Sequence, residues 1–261
     1  MTLLLTSWPI WLSFLIIVVL PTVVAICGLL LIRRKIGIEF LAANNEVAGF
    51  KFAVVGVIYA VMLGFAVIVV WEKFHDAEAA AAQETSGVVA ISRLAKGLGN
   101  ETGKPVLQRL ADYARDAIDI DWPAMAQGRG STEVTETLSA LYAAVLAVPV
   151  SDERQAAILG ALLEQLDSIT QARRTRLLLA AGTVPDMLWG VLLTGAGATL
   201  GYIFFFGAPS IRAQLMMSTI LVVMVCMALF VVVEIEHPFT GPVSVEPVGL
   251  QIALTELSKL Q

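Results

Sequence analysis

Residues 50–71 read FKFAVVGVIYAVMLGFAVIVVW, an apolar run in which Lys51 is the only charged residue. A helix rises about 1.5 Å per residue, so a run of this length crosses the roughly 30 Å hydrocarbon core of a bilayer. The chain then continues as EKFHDAEAAAA, without Pro or Gly. This stretch therefore predicts a membrane helix that leaves the bilayer and continues in water to about Leu98.

The composition of the whole chain agrees with a membrane protein. Of 261 residues, 57% are hydrophobic and 15% are charged, and the mean hydropathy is +0.80. Soluble domains have about 45–50% apolar and about 25% charged residues. The formal charge of -5 offers no basic surface for nucleic acid. Cys27 and Cys226 lie in apolar runs, which argues against a disulfide framework, a zinc site or a thiol active site.

Four stretches have the length and apolar character of membrane spans, at about residues 9–32, 50–71, 187–207 and 213–233. They predict an all-α integral membrane protein in four parts. These parts are an N-terminal transmembrane hairpin (1–71), a helical extramembrane domain (72–185), a C-terminal transmembrane hairpin (186–236) and a C-terminal tail (237–261).

The extramembrane domain reads as four helices, because it is rich in Ala, Leu, Glu, Gln and Arg and lacks strand-like alternation. The first continues from the second span. The second is predicted from Pro105 to about Ile120, where Trp122-Pro123 stops it. Ser131 or Thr132 caps a third helix to about Ala147, and Ser151 caps a fourth to about Gly182.

The orientation in the membrane is predicted from the basic residues that flank the spans. The link between the first two spans carries Arg33, Arg34, Lys35 and Lys51, and the link between the last two carries Arg212. Positive-inside counting places both links in the cytoplasm, with both termini and residues 72–185 outside.

Several motifs together resemble the bacterial bestrophin-like membrane protein family of unassigned function. The resemblance is carried by Gly49-Phe50, Val55 to Ala60, Trp71 to Ala77, Asp121 to Met125, Ala172 to Leu177, Pro185 to Trp189, and His237-Pro238-Phe239-Thr240-Gly241. It implies a four-helix membrane protein assembled as a ring, usually a pentamer, around a pore lined by the second helix. True bestrophins place their large helical region in the cytoplasm, which is opposite to the charge count.

Catalytic motifs are missing from the sequence. It has no G-x-S-x-G, H-E-x-x-H or P-loop, and its two histidines, His75 and His237, are far apart. A membrane enzyme is therefore the weakest interpretation, and no cofactor is expected.

Small residues recur on the second span at steps of three and four, and we call them the small-residue stripe: Gly49, Ala53, Gly56, Ala60 and Gly64. Such a stripe allows close approach of another helix, either within the chain or from a neighbouring subunit. In the second case the bulkier Ile58, Met62 and Phe65 face a pore and form a hydrophobic gate. Bestrophins have an apolar neck on the corresponding helix.

Antiparallel spans bring the end of span two, the start of span three and the end of span four to one membrane face. Six acidic residues lie there and are predicted to form an acidic mouth that concentrates cations: Glu72, Asp76, Glu78, Asp186, Glu234 and Glu236. The alternative is that these charges are simply solvated. His75 and His237 are weak candidates to join two carboxylates in a metal site.

One ion pair is predicted from the helix geometry. Glu84 and Arg173 are each thirteen residues from the membrane end of their helices, or about 20 Å at 1.5 Å per residue. Glu84 interrupts an apolar stripe on its helix, and Arg173 extends one on the other helix. Both charges should therefore face a partner helix. Because an unpaired buried charge is very costly, Glu84 should pair with Arg173, or with Arg176 one turn nearer the membrane.

These observations favour a homo-oligomeric, bestrophin-like ion channel or pore with a preference for cations. Its partners would be the lipid bilayer, further copies of itself and ions. The alternative is a non-conducting membrane scaffold or sensor that binds a partner through its helical domain. The scarcity of polar residues on the spans fits a wide or dewetted pore as well as no pore.

Overall fold

The computed structural model describes residues 2–182 and 184–259, and this part of the chain is helical and contains no strand. It divides into a membrane unit, Met1–Glu72 with Thr183–Glu236, and an extramembrane unit, Lys73–Gly182 with His237–Gln261. Within the described residues, four helices are long and apolar enough to cross a membrane: Ile10–Lys35, Asn45–Gly97, Asp186–Phe205 and Ile211–Ile235.

The helices are numbered in chain order. They are α1 (Thr2–Thr6), α2 (Ile10–Lys35), α3 (Ile38–Ala43), α4 (Asn45–Gly97), α5 (Asn100–Asp116), α6 (Trp122–Met125), α7 (Thr132–Leu146), α8 (Glu153–Ala180), α9 (Asp186–Phe205), α10 (Ile211–Ile235) and α11 (Val248–Ser258).

In the membrane unit, α2 contains one π-helical turn and ends after Lys35, where Ile36 adopts an extended conformation. The core of the membrane unit contains buried residues of α2, α9 and α10: Val18, Ala25, Leu29, Ile203, Val222 and Cys226. The Ser210 side chain caps α10 by accepting a hydrogen bond from the Ala213 amide. This cap defines the turn between the last two spans.

In the extramembrane unit, α4, α5, α7, α8 and α11 enclose one apolar core. Its fully buried members include Val88, Ile91, Leu110, Leu141, Leu162 and Leu166. Of the two predicted caps of α7, Ser131 is the one that forms, by accepting a hydrogen bond from the Glu133 amide. The fourth helix is capped by Asp152 rather than Ser151, because the Asp152 carboxylate accepts from the Gln155 amide.

Two boundaries differ from the sequence prediction. The second extramembrane helix begins at Asn100, before Pro105. It also does not stop at Trp122-Pro123, because a π-helical turn over Ala117–Asp121 leads directly into α6. Pro123 is the second residue of that short helix and directly follows the π-helical turn.

The predicted C-terminal tail is wrong as a separate part. Residues 248–258 form α11, whose Leu250, Ala253 and Leu257 are buried in the extramembrane core. The Trp122 indole N–H donates to the Val245 carbonyl at 2.9 Å, which fixes the segment that precedes α11. The tail folds because its leucines give it one apolar helical face.

Candidate functional site

The membrane-spanning part of α4 has one face that the rest of the membrane unit covers. Tyr59, Leu63, Ala66 and Val70 are buried along it at steps of three and four. These steps keep the covered residues on one side of a helix. The other sides of α4 are therefore available for lipid, a second subunit or a pore.

The small-residue stripe lies beside this covered face and is itself uncovered. A Cβ atom built on Gly56 or Gly64 meets no atom within 4 Å, and one built on Gly49 meets only the Phe206 ring, at 3.9 Å. Gly195 on α9 behaves differently, because its Cβ would lie 2.5 Å from the Tyr59 ring. Close packing within the protomer therefore explains Gly195 but not Gly56 or Gly64.

The predicted gate residues lie on a different side of α4. Ile58 and Phe65 are 57% and 65% exposed, and Met62 is half-buried. The exposed Glu72 follows Phe65 by seven residues, as Phe65 follows Ile58. Since seven residues are nearly two helical turns, these three side chains share one face.

The predicted acidic mouth is wrong in part. Glu72, Asp76, Glu78 and Asp186 are exposed, but Glu234 and Glu236 are both buried. In the membrane unit, the Thr6 hydroxyl donates to the Val233 carbonyl at 3.2 Å, so α1 covers the end of α10. The Trp189 indole N–H donates to the Glu236 carboxylate at 2.9 Å.

Two exposed acids of α4 have close polar neighbours on the same helix. The Lys73 ammonium lies 3.1 Å from the Asp76 carboxylate, and the His75 ring lies 3.5 Å from the Glu78 carboxylate. Glu72 has the clearest position for attracting a cation, because it is exposed and lies on the face of Ile58 and Phe65.

The metal site proposed for His75 and His237 is not formed. His75 is exposed, whereas His237 is buried with its ring against Gly182. Across the described residues 2–182 and 184–259, no three His, Cys, Asp or Glu side chains converge as metal ligands. The physical reason is that His75 points to solvent on α4 while His237 is held in the segment after the last span.

A buried ion pair lies at the centre of the extramembrane unit. Arg176 on α8 contacts both carboxylate oxygens of Glu84 on α4, and both side chains are fully buried. The Tyr113 hydroxyl donates to the same carboxylate at 2.6 Å. Of the two partners expected for Glu84, the structure therefore pairs it with Arg176.

The surroundings of this pair favour the charged state of the guanidinium. Its carbon lies 4.1 Å from the centre of the Trp122 ring, a cation–π geometry. Burial would lower the pKa of Arg176, but the Glu84 carboxylate outweighs this effect and raises it. Burial, and next the Glu84 charge, hold the pKa of Tyr113 well above its usual value. At neutral pH, Tyr113 is therefore a neutral donor to a charged pair.

Arg173 has a different partner from the predicted one. Its Nε donates to Asp121 at 2.7 Å, and its Nη2 donates to the other oxygen of that carboxylate at 3.2 Å. It also donates to the Ser131 carbonyl at 2.9 Å and to the Thr135 hydroxyl at 3.1 Å. Sequence reasoning missed Asp121, although an acid between the apolar Ile118, Ile120 and Trp122 was a signal for a buried charge.

The fold and the site define a class: an integral membrane protein with four spans and a helical extramembrane unit that is stabilised by buried ion pairs. The sequence model of the Bestrophin-like domain matches residues 19–250 of the chain. The protein belongs to the bestrophin-like family. No curated protein matches the chain.

Solved structures show the same fold at low sequence identity. A bacterial bestrophin homologue from Klebsiella pneumoniae is similar with a TM-score of 0.72 and 14% identity, over 93% of this chain and 97% of that one. A variant of that homologue gives 0.71 and 13%, over 93% and 98%. A protein described only as a membrane protein gives 0.74 and 12%, over 93% and 97%.

Proposed function

We propose that the protein is a homo-oligomeric ion channel of a bacterial cytoplasmic membrane, with α4 lining the pore. Characterised members of its family are ion channels, which supports this proposal. The observation that carries it is the uncovered small-residue stripe on α4. Glycine offers lipid little contact but allows two helices to approach closely, so a second copy is the best cover for Gly56 and Gly64.

The same geometry favours a closed ring. A neighbour that packs on the stripe contacts a different surface of the second protomer, and repeated contacts of this heterologous kind close into rings when the rotation permits. Ile58, Met62 and Phe65 lie on another side of α4 and would then face the axis. The family resemblance makes a pentamer our specific proposal for the ring.

Subunit contact is tested by a pair of glycine variants. Gly56→Leu should lower the oligomer mass in mass photometry while leaving the thermal stability of the protomer nearly unchanged, because a Cβ at this position meets no atom of its own chain within 4 Å. Gly195→Leu is the matched control and should destabilise the protomer through the collision with Tyr59. An unchanged oligomer in Gly56→Leu would remove the stripe from the interface.

We further propose that Glu72 gives the pore its preference for cations. A carboxylate ring at a pore mouth raises the local cation concentration. Single-channel recording of the purified protein in planar bilayers should show unitary currents that are cation-selective. Glu72→Gln should move the reversal potential in a salt gradient towards zero.

Asp112→Asn, an exposed change in the extramembrane unit, serves as the control and should leave the reversal potential unchanged. A channel selective for anions would contradict the role of Glu72. So would a cation-selective channel whose reversal potential does not change in Glu72→Gln. Absence of unitary currents would contradict the channel itself and favour the scaffold or sensor.

The orientation is also a proposal. The basic cluster that follows the first span favours a cytoplasmic position for Gly37 and an external one for Gly128. Cysteines introduced singly at these positions would be probed with a membrane-impermeant thiol reagent in intact cells. We expect labelling at Gly128 only, and labelling at Gly37 only would reverse the orientation.

A further inference from the structure

A groove in the membrane unit lies between α4 and α10, at the end of the unit that carries the basic links. It has a volume of about 380 Å³ and is lined by Asn45, Gly49, Phe52, Phe206, Gln214 and Met217, among others. The small Gly49 leaves the groove open, since a Cβ there would approach only Phe206. An apolar groove that opens to the bilayer is suited to an acyl chain.

The polar rim of this groove is fixed by hydrogen bonds. The Asn45 amide donates to the Gly207 carbonyl at 2.7 Å and accepts from the Gly207 N–H at 3.0 Å. The buried Gln214 amide donates to the Phe206 carbonyl at 2.6 Å. These bonds tie the turn after α9 to both α4 and α10 at the rim of the groove.

The rim of the groove carries a positive charge, that of Arg33. The Arg33 guanidinium donates to the Ala208 carbonyl at 2.8 Å, to the Gln214 side-chain oxygen, and to the Pro209 carbonyl at 3.2 Å. These partners are neutral oxygens, so they leave the positive charge uncompensated. Ala208 and Gln214 both line the groove, which places Arg33 at its mouth.

Further cations follow in the same links. Arg34, Lys35 and Arg212 are exposed, and the first two extend the chain directly from Arg33. The exposed acids of the first link are Glu39 and Glu46, which leave the two links with a net positive charge. A headgroup with a net negative charge is attracted by these cations, whereas in a zwitterionic headgroup a cation offsets the charge of the phosphate.

We infer that this groove binds an anionic phospholipid, with its phosphate at Arg33, Arg34 and Lys35 and one acyl chain along Gly49 and Phe52. Charge complementarity favours a lipid over a second copy of the chain as the occupant. The site uses the end of the small-residue stripe and leaves Gly56 and Gly64, which do not line the groove, for a neighbouring subunit. It is independent of whether the protein conducts ions.

The test is a lipid titration of the full-length protein in detergent, followed by native mass spectrometry. Phosphatidylglycerol and phosphatidylcholine with identical acyl chains are the two probes. We expect phosphatidylglycerol to bind at least about ten-fold more tightly, since each basic residue near the surface contributes about five-fold. Equal affinity for the two lipids would overturn the inference.

The charge contribution is tested with the double variant Arg34→Gln, Lys35→Gln. It should weaken phosphatidylglycerol about 10–30-fold and phosphatidylcholine much less, because the choline cation offsets the phosphate of that lipid. Arg93→Gln with Lys96→Gln removes two exposed charges from the extramembrane unit and is the matched control. Wild-type affinity in the first double variant would overturn the inference, as would an equal loss in the control.

The apolar part is tested with Ser218→Phe, which fills the groove from α10. It should weaken both lipids and leave the oligomer mass unchanged. If it lowers the oligomer mass and leaves phosphatidylglycerol binding intact, the groove is an interface between copies and the lipid site is wrong. Such a result leaves the channel proposal standing, because that proposal is tested by currents.

Discussion

The two halves of α4 use one continuous helix in opposite ways. In residues 45–72, large apolar side chains such as Phe50, Val57 and Phe65 point away from the membrane unit. In residues 73–97, Val88 and Ile91 are fully buried, and the outward positions are mainly polar or small. The surrounding medium, rather than helix propensity, decides which side is apolar.

Because of this contrast, an apolar stripe identifies the packed face of a helix only outside the membrane. In the extramembrane half, an apolar stripe marks the packed face, because only burial removes it from water. In the membrane half, lipid accepts apolar side chains on any side, so small residues become the informative ones. The fully buried Glu84 breaks the pattern of the second half.

The largest effect is expected from Glu84→Gln. It leaves the Arg176 charge buried without its carboxylate, which should lower the free energy of unfolding by about 3–5 kcal/mol. Thermal and denaturant unfolding of the full-length protein in detergent measures this. Replacing both members of the pair with apolar residues, in Glu84→Leu with Arg176→Met, should avoid most of this loss. An unchanged Tm in Glu84→Gln would show that the pair does not stabilise the unit.

A smaller loss is expected from Asp121→Asn. Arg173 keeps the Ser131 carbonyl and the Thr135 hydroxyl as partners, so the guanidinium is not left without acceptors. Loss of the charged hydrogen bonds should cost about 1.5–3 kcal/mol in the same unfolding measurement. A cost above that of Glu84→Gln would rank the two buried pairs in the opposite order.

Alkaline pH should produce the third effect through Tyr113. In the unfolded chain a tyrosine ionises near pH 10, but the raised pKa in the folded protein keeps Tyr113 protonated. Its contribution to stability is complete below about pH 10 and is lost above it, by up to about 1.4 kcal/mol per pH unit. Unfolding would be compared at about pH 8 and about pH 11. Tyr113→Phe should lack this part of the pH dependence, and an identical alkaline slope in both proteins would disprove the assignment.

The smallest effect is expected where α4 is solvated. Lys73 and Asp76 form an ion pair whose side chains are 45% and 52% exposed. Water screens such a pair, so Asp76→Asn should change the stability by less than about 0.5 kcal/mol. A loss comparable to that of Glu84→Gln would mean that this segment is buried by a partner in the assembled protein.

The sequence predicted the extramembrane half of α4 and the caps of α7 well because those signals are local. Periodic apolar residues identified the packed face, and Ser131 sits where its hydroxyl can accept from the Glu133 amide. The four spans could be predicted equally well, since length and apolar character suffice to define them.

Features that depend on distant contacts could not be predicted in the same way. Arg173 pairs with Asp121 because a π-helical turn brings that carboxylate to α8, and no local pattern signals such a turn. The end of α10 receives a hydrogen bond from Thr6 of α1, which lies more than two hundred residues earlier in the chain. For α11 a signal was present, since Leu250, Leu254 and Leu257 have helical spacing.

The contact between Trp122 and Val245 has a consequence for the order in which the protein is made. Residues 237–259 complete the extramembrane core, yet two membrane spans separate them from the rest of that unit along the chain. During synthesis, the pocket for α11 therefore stays open until both later spans have been translated and the chain has returned to the same side. Closing so long a loop slows folding and leaves apolar surface uncovered in the meantime. The nascent protein thus passes through a stage in which the earlier extramembrane helices have been synthesised but α11 has not yet packed against them.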